Sequence, residues 1–227
     1  MDFQLREKEI FETLKKIKKF KFVVVGGYAV NAYTLPRFSI DCDIVVKNNE
    51  DLEPIKGELV NFGYIESKNK TGVPYNGNFK RYEKEISRGY MVSIDILIEE
   101  VLDRQTDSTF SAEWIFDNSD IKFLKGKTIT EELKLRIINL RALVVMKLIS
   151  CRSTDIRDVF LLVSNLEDFK WVREEIIKRY DLGNRLKKFE KEINSKQFKD
   201  GLQGVFGIVD DKMFERNKKL ISDLSSA

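Results

Sequence analysis

Acidic side chains interrupt two apolar segments of the sequence that are typical of buried β-strands. The first segment is Ser39-Ile40-Asp41-Cys42-Asp43-Ile44-Val45-Val46. In a strand, side chains two residues apart point to the same face, so Asp41 and Asp43 project together. Two adjacent carboxylates repel each other, which is typical of a place that holds a cation. Oxygen ligands favour Mg²⁺ or Mn²⁺.

A third aspartate repeats this arrangement. Asp95 lies within Met91-Val92-Ser93-Ile94-Asp95-Ile96-Leu97-Ile98, which otherwise predicts a buried strand. A lone carboxylate in such a strand needs a partner, because burying it without one is costly. If the two strands are neighbours, the three carboxylates converge and can hold divalent metal beside a triphosphate. The alternatives are a structural aspartate at Asp95 and an exposed strand face at Asp41 and Asp43.

A glycine pair supplies a candidate phosphate site. Phe22-Val23-Val24-Val25 predicts a short buried strand, and Gly26-Gly27 follows it directly, before a helix predicted at 28–35. Backbone N–H groups at the start of a helix favour an anion, and glycine permits its close approach. Arg37, just ahead of the acidic strand, is placed to reach a phosphate oxygen. An ordinary turn and a surface arginine are the alternatives.

The elements that must position these residues divide the sequence into two parts. Before residue 130, helices are predicted at 5–19, 28–35 and 51–62, a loop at 71–78, strands at 22–25, 40–46, 79–86 and 91–98, and a further hairpin at 121–129. After it, only helices are predicted, at 132–151, 155–164, 169–180, 184–193 and 212–224. We therefore expect an α+β (mixed α/β) domain over 1–130 and a helical domain over 131–227.

The acidic segment and the glycine pair together resemble a known signature. Gly26-Gly27-Tyr28-Ala29-Val30 and Pro36-Arg37-Phe38-Ser39-Ile40-Asp41-Cys42-Asp43 are similar to the GG-x-A … R-x-[ST]-x-D-x-D signature of nucleotidyltransferase-fold proteins. Within that superfamily the segment is most similar to the group that includes AbiEii-like toxins of toxin–antitoxin pairs. Gly27 departs from many polymerase-type relatives, which carry Ser there, so phosphate contacts would depend on backbone N–H groups.

The resemblance implies a fold and a set of roles. The implied fold is a mixed sheet flanked by helices, with a helical C-terminal part. Asp41, Asp43 and Asp95 would be catalytic and would bind Mg²⁺ or Mn²⁺. The nucleoside triphosphate would be held by a larger set of residues. That set is Gly26, Gly27, Arg37, Ser39, Lys147 and Asp158.

A fainter resemblance accounts for the last two of those residues. Lys147 lies in the apolar helical segment 143–149, and Arg152-Ser153-Thr154-Asp155-Ile156-Arg157-Asp158 follows it. This is similar to a K … R-x-x-D-x-x-D element of AbiEii-like proteins. There, Lys147 would contact the triphosphate, and Asp155 or Asp158 would shape the acceptor site. The alternatives are a lysine that extends to solvent and ion pairs at helix starts or between helices.

Composition excludes several other chemistries. The 227 residues include no histidine, so Ser-His-Asp triads, Cys-His dyads and His-ligated zinc are excluded. The 40 basic residues nearly balance the 37 acidic ones, and basic runs such as 15–19 are predicted first as solvated helix faces. Two cysteines form no disulfide framework. No apolar run approaches the ~18 residues of a membrane span, and we expect a cytoplasmic protein.

These observations support three hypotheses. The first is an enzyme, a metal-dependent nucleotidyltransferase that moves a nucleoside monophosphate from an NTP to an acceptor hydroxyl and releases pyrophosphate. The resemblance suggests RNA, such as a tRNA 3′ end, as the acceptor, while a protein or a small molecule stays open. The second is a catalytically weak nucleotide-binding module. The third is a toxin–antitoxin component that contacts a small antitoxin. Candidates for stacking a base are Tyr33, Tyr75, Tyr82 and Trp114.

Overall fold

The computed structural model describes residues 2–67, 78–207 and 209–226 of the chain. The loop predicted at 71–78 lies, except for Asn78, outside these residues, and so does Tyr75. The chain divides into two compact units. The first comprises Met1–Ala32, Phe38–Val101 and Phe110–Ile138, and the second comprises Tyr33–Arg37, Leu102–Thr109 and Asn139–Ala227. The predicted boundary between sequence-continuous domains at residue 130 stays a prediction.

A mixed sheet of seven strands forms the centre of the first unit. Its strands are β1 Val23–Val24, β2 Asp41–Val46, β3 Ile65–Glu66, β4 Phe79–Ser87, β5 Tyr90–Ile98, β8 Ser119–Leu124 and β9 Leu133–Ile138. Their order across the sheet is β3-β4-β5-β2-β1-β9-β8. The pairs β2–β5 and β1–β9 are parallel, and the other pairs are antiparallel. The short strands β6 Glu100–Asp103 and β7 Ser108–Ser111 pair separately.

Helices cover this sheet because their apolar stripes need a partner. The helices of the first unit are α1 Asp2–Ile17, α2 Gly26–Val30, α3 Asn49–Asn61 and α4 Ala112–Asp117. In α1, Ile10, Leu14 and Ile17 recur at helical spacing and are fully buried. Asn48 caps α3 by accepting a hydrogen bond from the Asp51 backbone N–H. The mixed sheet with flanking helices is the predicted fold class.

The second unit is helical. Its α-helices are α5 Leu140–Ser150, α6 Ser153–Leu162, α7 Phe169–Ile177, α8 Leu182–Ile193, α9 Lys196–Phe206 and α10 Asp211–Ser226. Phe160 of α6 packs against Phe198 of α9 and Phe214 of α10, with ring centroids 5.2 and 4.9 Å apart. The predicted helical C-terminal part is confirmed, although α9 was not predicted.

Three local predictions are wrong in detail. The helix predicted at 28–35 begins at Gly26 and is only five residues long. The hairpin predicted at 121–129 does not form, because β8 pairs with β9 instead. The helix predicted at 132–151 is a strand over Leu133–Ile138, where buried and exposed side chains alternate. Helix α5 begins only after Asn139, which caps it.

No helix among the described residues combines the length and the apolar character that crossing a membrane requires.

Candidate active site

The acidic strand β2 holds two aspartates on one face of the sheet. Asp41 and Asp43 are half-buried, while Cys42 and Ile44 between and after them are fully buried. Strand β5 runs parallel to β2, and Asp43 is the register partner of Asp95. The strand adjacency that the sequence left open is therefore present, and all three aspartates lie in the first half of the segment over which β2 and β5 pair.

Ser93 and Arg81 hold Asp41. Ser93 is the register partner of Asp41, and its hydroxyl donates a hydrogen bond to Asp41 Oδ1. Arg81 Nη2 lies 3.7 Å from Asp41 Oδ2. The Asp41 side chain nevertheless remains 41% exposed, so one of its edges faces solvent.

Asp95 is bound on both oxygens by the guanidinium of Arg81. Nε donates to Oδ1 at 2.8 Å, and Nη2 donates to Oδ2 at 2.6 Å. This fork geometry is the strong form of an arginine–carboxylate contact. Burial raises the pKa of Asp95, and although Arg81 counteracts this, the pKa stays above its ordinary value.

Cys42, which lies between Asp41 and Asp43 in the sequence, is affected by the negative charge of the aspartates. Burial raises the pKa of Cys42 well above its usual value, and the charges of Asp43, Asp95 and Asp41 raise it further. A thiol in such surroundings stays protonated and is a poor nucleophile or metal ligand. Cys42 is therefore not a candidate metal ligand, and a cation bound here would take its ligands from the aspartates.

The glycine turn lies against Asp43. Gly26 has a positive φ of 64°, a left-handed conformation that costs other residues about 1 kcal/mol or more. A Cβ atom at this position would stand 2.0 Å from Asp43 Oδ2. Glycine is needed here both for the backbone conformation and for the close approach of the carboxylate.

We predict that Gly26→Ala lowers the free energy of unfolding by at least about 1 kcal/mol. The added methyl group would collide with the Asp43 carboxylate at an already strained backbone position. Gly57→Ala is the matched control, since Gly57 lies inside α3 with open space around it; it should stabilise the chain by roughly 0.5–1 kcal/mol. Urea unfolding measures both. Equal stability of wild type and Gly26→Ala would contradict this account of the turn.

The oxygen donors of this site fit a divalent cation only in part. Asp41 and Asp43 project from one face of β2 and offer the hard ligands that Mg²⁺ or Mn²⁺ takes. Asp95 has both oxygens committed to Arg81. Within the residues that the structure describes, no group of three acidic or cysteine side chains is arranged to hold a metal ion. Asp95 would join such a site only after Arg81 released it.

A separate charged network occupies the interior of the second unit. Arg37 donates two hydrogen bonds of 2.7 Å to the two oxygens of Asp158. Lys147 Nζ lies 2.7 Å from Asp158 Oδ2 and 2.9 Å from Asp155 Oδ1. Asp158 is fully buried and Lys147 is 6% exposed. Two cations and two carboxylates thus balance each other away from water.

The pKa values in this network favour its charged form. Burial acts to raise the pKa of Asp158, but Lys147 and Arg37 lower it below the ordinary value. Burial acts to lower the pKa of Lys147, but Asp158 and Asp155 raise it above the ordinary value. Asp158 and Lys147 therefore favour each other's charged form.

The contacts in this network test some of the alternatives that the sequence left open for Lys147 and Asp155. Lys147 does not extend to solvent, so that alternative is wrong. Asp155 accepts a hydrogen bond from the Arg152 backbone N–H at the start of α6, as the helix-start alternative anticipated. Ser39 donates to the Asp41 backbone carbonyl at 3.2 Å. Contact of Arg37, Ser39, Lys147 or Asp158 with a triphosphate stays a prediction.

Sequence reasoning missed Arg81 and Ser93. Ser93 precedes Asp95 by two residues in a strand, so the period of two could have placed it on the same face. Arg81 lies opposite Asp95 in the antiparallel β4–β5 hairpin. Counting residues outward from the turn at Arg88-Gly89 would have paired Asp95 with Tyr82, because an irregularity between Glu85 and Ser87 shifts the register by one residue. Of the stacking candidates, Tyr82 is buried in the core, and Trp114 packs on Phe110 with centroids 5.1 Å apart.

Solved structures with this architecture exist. JHP933 from Helicobacter pylori aligns over 99% of this chain and 92% of its own, with a TM-score of 0.51 and 16% identity. A candidate nucleotidyltransferase from H. pylori aligns over 97% of this chain and 93% of its own, with a TM-score of 0.50 and 18% identity.

The chain has the nucleotidyltransferase fold.

At these identities the likeness establishes the fold and not the activity. A lincosamide adenylyltransferase, LnuA, solved with lincomycin bound, aligns over 70% of this chain and 98% of its own at 20% identity, with a TM-score of 0.48. No protein-family model matches the sequence, and no curated protein matches it either. The narrower resemblance to AbiEii-like proteins is not shown by these comparisons and stays a prediction.

Proposed function

We propose that this chain is a nucleotidyltransferase that moves a nucleoside monophosphate from an NTP to an acceptor hydroxyl and releases pyrophosphate. The observation that supports this most is the placement of Asp41 and Asp43 beside Asp95 on adjacent parallel strands, with the Gly26 turn against Asp43. A purely structural sheet gains nothing from carboxylates crowded in this way, because their mutual repulsion and desolvation are unfavourable.

Each residue of the site has a role in this proposal. Asp41 and Asp43 would hold Mg²⁺ or Mn²⁺, which supplies charge neutralisation for the triphosphate and lowers the pKa of the attacking hydroxyl. Once Arg81 released it, Asp95 would accept the proton of that hydroxyl, a role that suits a carboxylate whose pKa is raised by burial. The backbone N–H groups of Gly26 and Gly27 would face the phosphates.

Transfer is tested with wild-type protein, Mg²⁺, total RNA and each labelled NTP in turn. We propose an RNA 3′ end as the acceptor, and a labelled RNA band with one NTP would identify both the acceptor class and the preferred base. A small antitoxin partner and a cytoplasmic location belong to the same proposal. Absence of any labelled product with RNA, protein or small-molecule acceptors would contradict the enzymatic function.

The Arg81–Asp95 contact gives a prediction about metal binding. A cation and the Arg81 guanidinium compete for the oxygens of Asp95, so Arg81→Met should bind Mn²⁺ roughly tenfold more tightly than wild type. The metal-induced rise in Tm should grow accordingly, measured at about pH 8, where the raised pKa of Asp95 matters least. Arg88→Met is the matched control, because Arg88 is exposed at the turn of the same hairpin. Unchanged affinity in Arg81→Met would remove Asp95 from the metal site.

The same contact favours one alternative function. If Arg81 never releases Asp95, the site lacks its third carboxylate and the chain is a nucleotide-binding module with little turnover. Metal-dependent NTP binding without product, together with unchanged Mn²⁺ affinity in Arg81→Met, would support that alternative over the enzyme.

A further inference from the structure

A groove of exposed cations lies at the opposite end of the sheet from the aspartates. The groove has two adjoining parts, of about 600 and 200 Å³, both lined by Lys21, Phe116 and Arg136. Lys47 lines the larger part, and Lys18 and Lys134 line the smaller one. We call this the basic groove.

The position of the basic groove separates it from the candidate active site. Strand β2 begins at Asp41 and ends at Val46, and Lys47 follows directly. At about 3.3 Å per residue, Lys47 lies about 20 Å along the sheet from Asp41. Lys21 lies just before β1, at the end where Val23 pairs with Val45. The groove is thus a separate surface of the first unit.

The basic groove has more cationic than acidic side chains in its lining. Its five cations face two carboxylates, Glu50 and Asp51, which leaves a net charge of three positive. Among the described residues, Lys18, Lys21, Lys47 and Lys134 form no ion pair with an acidic side chain. Unpaired cations gathered in a concave surface attract an anionic partner.

Neighbouring lysines behave differently. In the basic run at 15–19, Lys15 pairs with Glu12 and Glu131, and Lys19 pairs with Glu58 at 2.6 Å. Lys16 of the same run also forms no ion pair among the described residues, and it does not line the groove. What distinguishes the groove is that four lysines without acidic partners line one concave surface, an arrangement that a phosphate backbone would use.

Apolar side chains continue the groove along the edge strand β8. In the β8–β9 pair, Ile121 is opposite Arg136 and Phe123 is opposite Lys134. Cross-strand partners share a face, so apolar and cationic side chains alternate there. Ile121 is 50% exposed and Phe123 is 53% exposed. Lys47 Nζ also lies 5.2 Å from the centre of the Phe116 ring.

We propose that the basic groove and the exposed β8–β9 face bind single-stranded nucleic acid. The cations suit phosphates, and the exposed Phe123 ring offers a platform on which an unpaired base can stack. A duplex would engage the cations but could not present a base face to Phe123. An acidic protein would also engage the cations, and competition with an acidic peptide separates it from nucleic acid in the experiment below. The inference rests on this surface and not on the proposed transfer reaction.

Fluorescence anisotropy with a labelled RNA of about 12 nucleotides tests the proposal, in EDTA and without NTP. Under these conditions the result is independent of metal chemistry at the aspartates, so failure here and failure of transfer are distinguishable. Wild type should bind at about 50 mM NaCl and weaken as salt rises. The double variant Lys21→Gln/Lys134→Gln should bind at least about tenfold more weakly, with a salt slope smaller by about 1.4.

Two further variants separate stacking from charge. Phe123→Ala should weaken binding roughly tenfold and leave the salt slope unchanged. Lys122→Gln is the matched control, because Lys122 lies on the same strand between Ile121 and Phe123 and points to the other face; its affinity should equal that of wild type. A single-stranded DNA of the same sequence shows whether the surface distinguishes RNA from DNA, and binding of either supports the proposal.

Several results would overturn the inference. The first is that wild type does not bind the RNA at low salt, and the second is that the double variant binds it as tightly as wild type. The third is that a duplex or an acidic peptide displaces the RNA when its phosphate or carboxylate concentration equals the phosphate concentration of the RNA. A wild-type dimer that Phe123→Ala converts to a monomer would also overturn it, because the β8 edge would then be an interface between two copies of the chain.

Discussion

Asp41→Asn should reduce nucleotidyl transfer at least about 100-fold while leaving the fold intact. The substitution keeps the shape of the side chain and an oxygen that can accept the Ser93 hydrogen bond, but it removes a negative charge from the proposed metal site. Loss of one charged group aimed at the reacting phosphates is typically worth a factor of about 100 to 1,000 in rate. The measurement is initial rate of transfer from labelled NTP at saturating Mg²⁺.

The control for this prediction is Asp120→Asn. Asp120 lies on the edge strand β8 and is exposed, so the same change of charge there should leave transfer unaltered. Asp43→Asn should behave like Asp41→Asn, since both residues project from one face of β2. Full activity in Asp41→Asn or Asp43→Asn would remove the carboxylate pair from the mechanism and leave the fold without an assigned function.

Asp158→Asn should lower the free energy of unfolding by about 3 to 5 kcal/mol at pH 7. The substitution leaves the buried cations Arg37 and Lys147 with Asp155 as their remaining carboxylate. Removing one partner from a buried ion pair costs much more than the pair contributes, because the remaining charge has no water to solvate it. Urea unfolding followed by circular dichroism measures the loss.

The pH dependence of this loss follows from the direction of the Asp158 pKa shift. The pKa is lowered in the folded chain, so the ionised carboxylate contributes stability at pH values above the unfolded value of about 3.9. That stability is lost as the pH falls through the lowered folded pKa. The difference between wild type and Asp158→Asn should therefore be full near pH 7 and shrink progressively below about pH 4.

Asp200→Asn provides the matched control for the second unit. Asp200 is exposed on α9, so its substitution should leave the unfolding curve unchanged. If Asp158→Asn unfolded at the same urea concentration as wild type, the network would contribute no stability. A role of Arg37 and Lys147 in phosphate binding, as the resemblance implies, would then be the better account of the network.

Local sequence patterns were sufficient to predict the strands that carry the three aspartates. The spacing of two in 40–46 and the otherwise apolar run at 91–98 placed Asp41, Asp43 and Asp95 on strands, and the structure has β2 and β5 there. This works because the period of a strand is set by the backbone and does not depend on distant residues. The glycine pair was also readable, because few other residues tolerate the positive φ found at Gly26.

The same reasoning failed at the segment after residue 130. Leu133-Lys134-Leu135-Arg136-Ile137-Ile138 alternates apolar and polar residues, as a strand does, but Thr130-Glu131-Glu132 before it has the pattern of a helix start, so the whole segment was predicted as a helix. In the structure this segment is strand β9, which forms backbone hydrogen bonds with both β1 and β8. A short segment forms a strand where neighbouring strands offer it hydrogen-bond partners, and its own secondary-structure propensity does not specify whether such partners exist.

The sequence by itself therefore determined which side chains could do chemistry and on which face of a strand they stand. Only the tertiary structure decided what those side chains meet: Asp95 meets Arg81, and Arg37 meets Asp158, 121 residues away. The physical reason is that backbone periodicity is a local property, whereas strand order and buried ion pairs arise from packing between residues far apart in the chain.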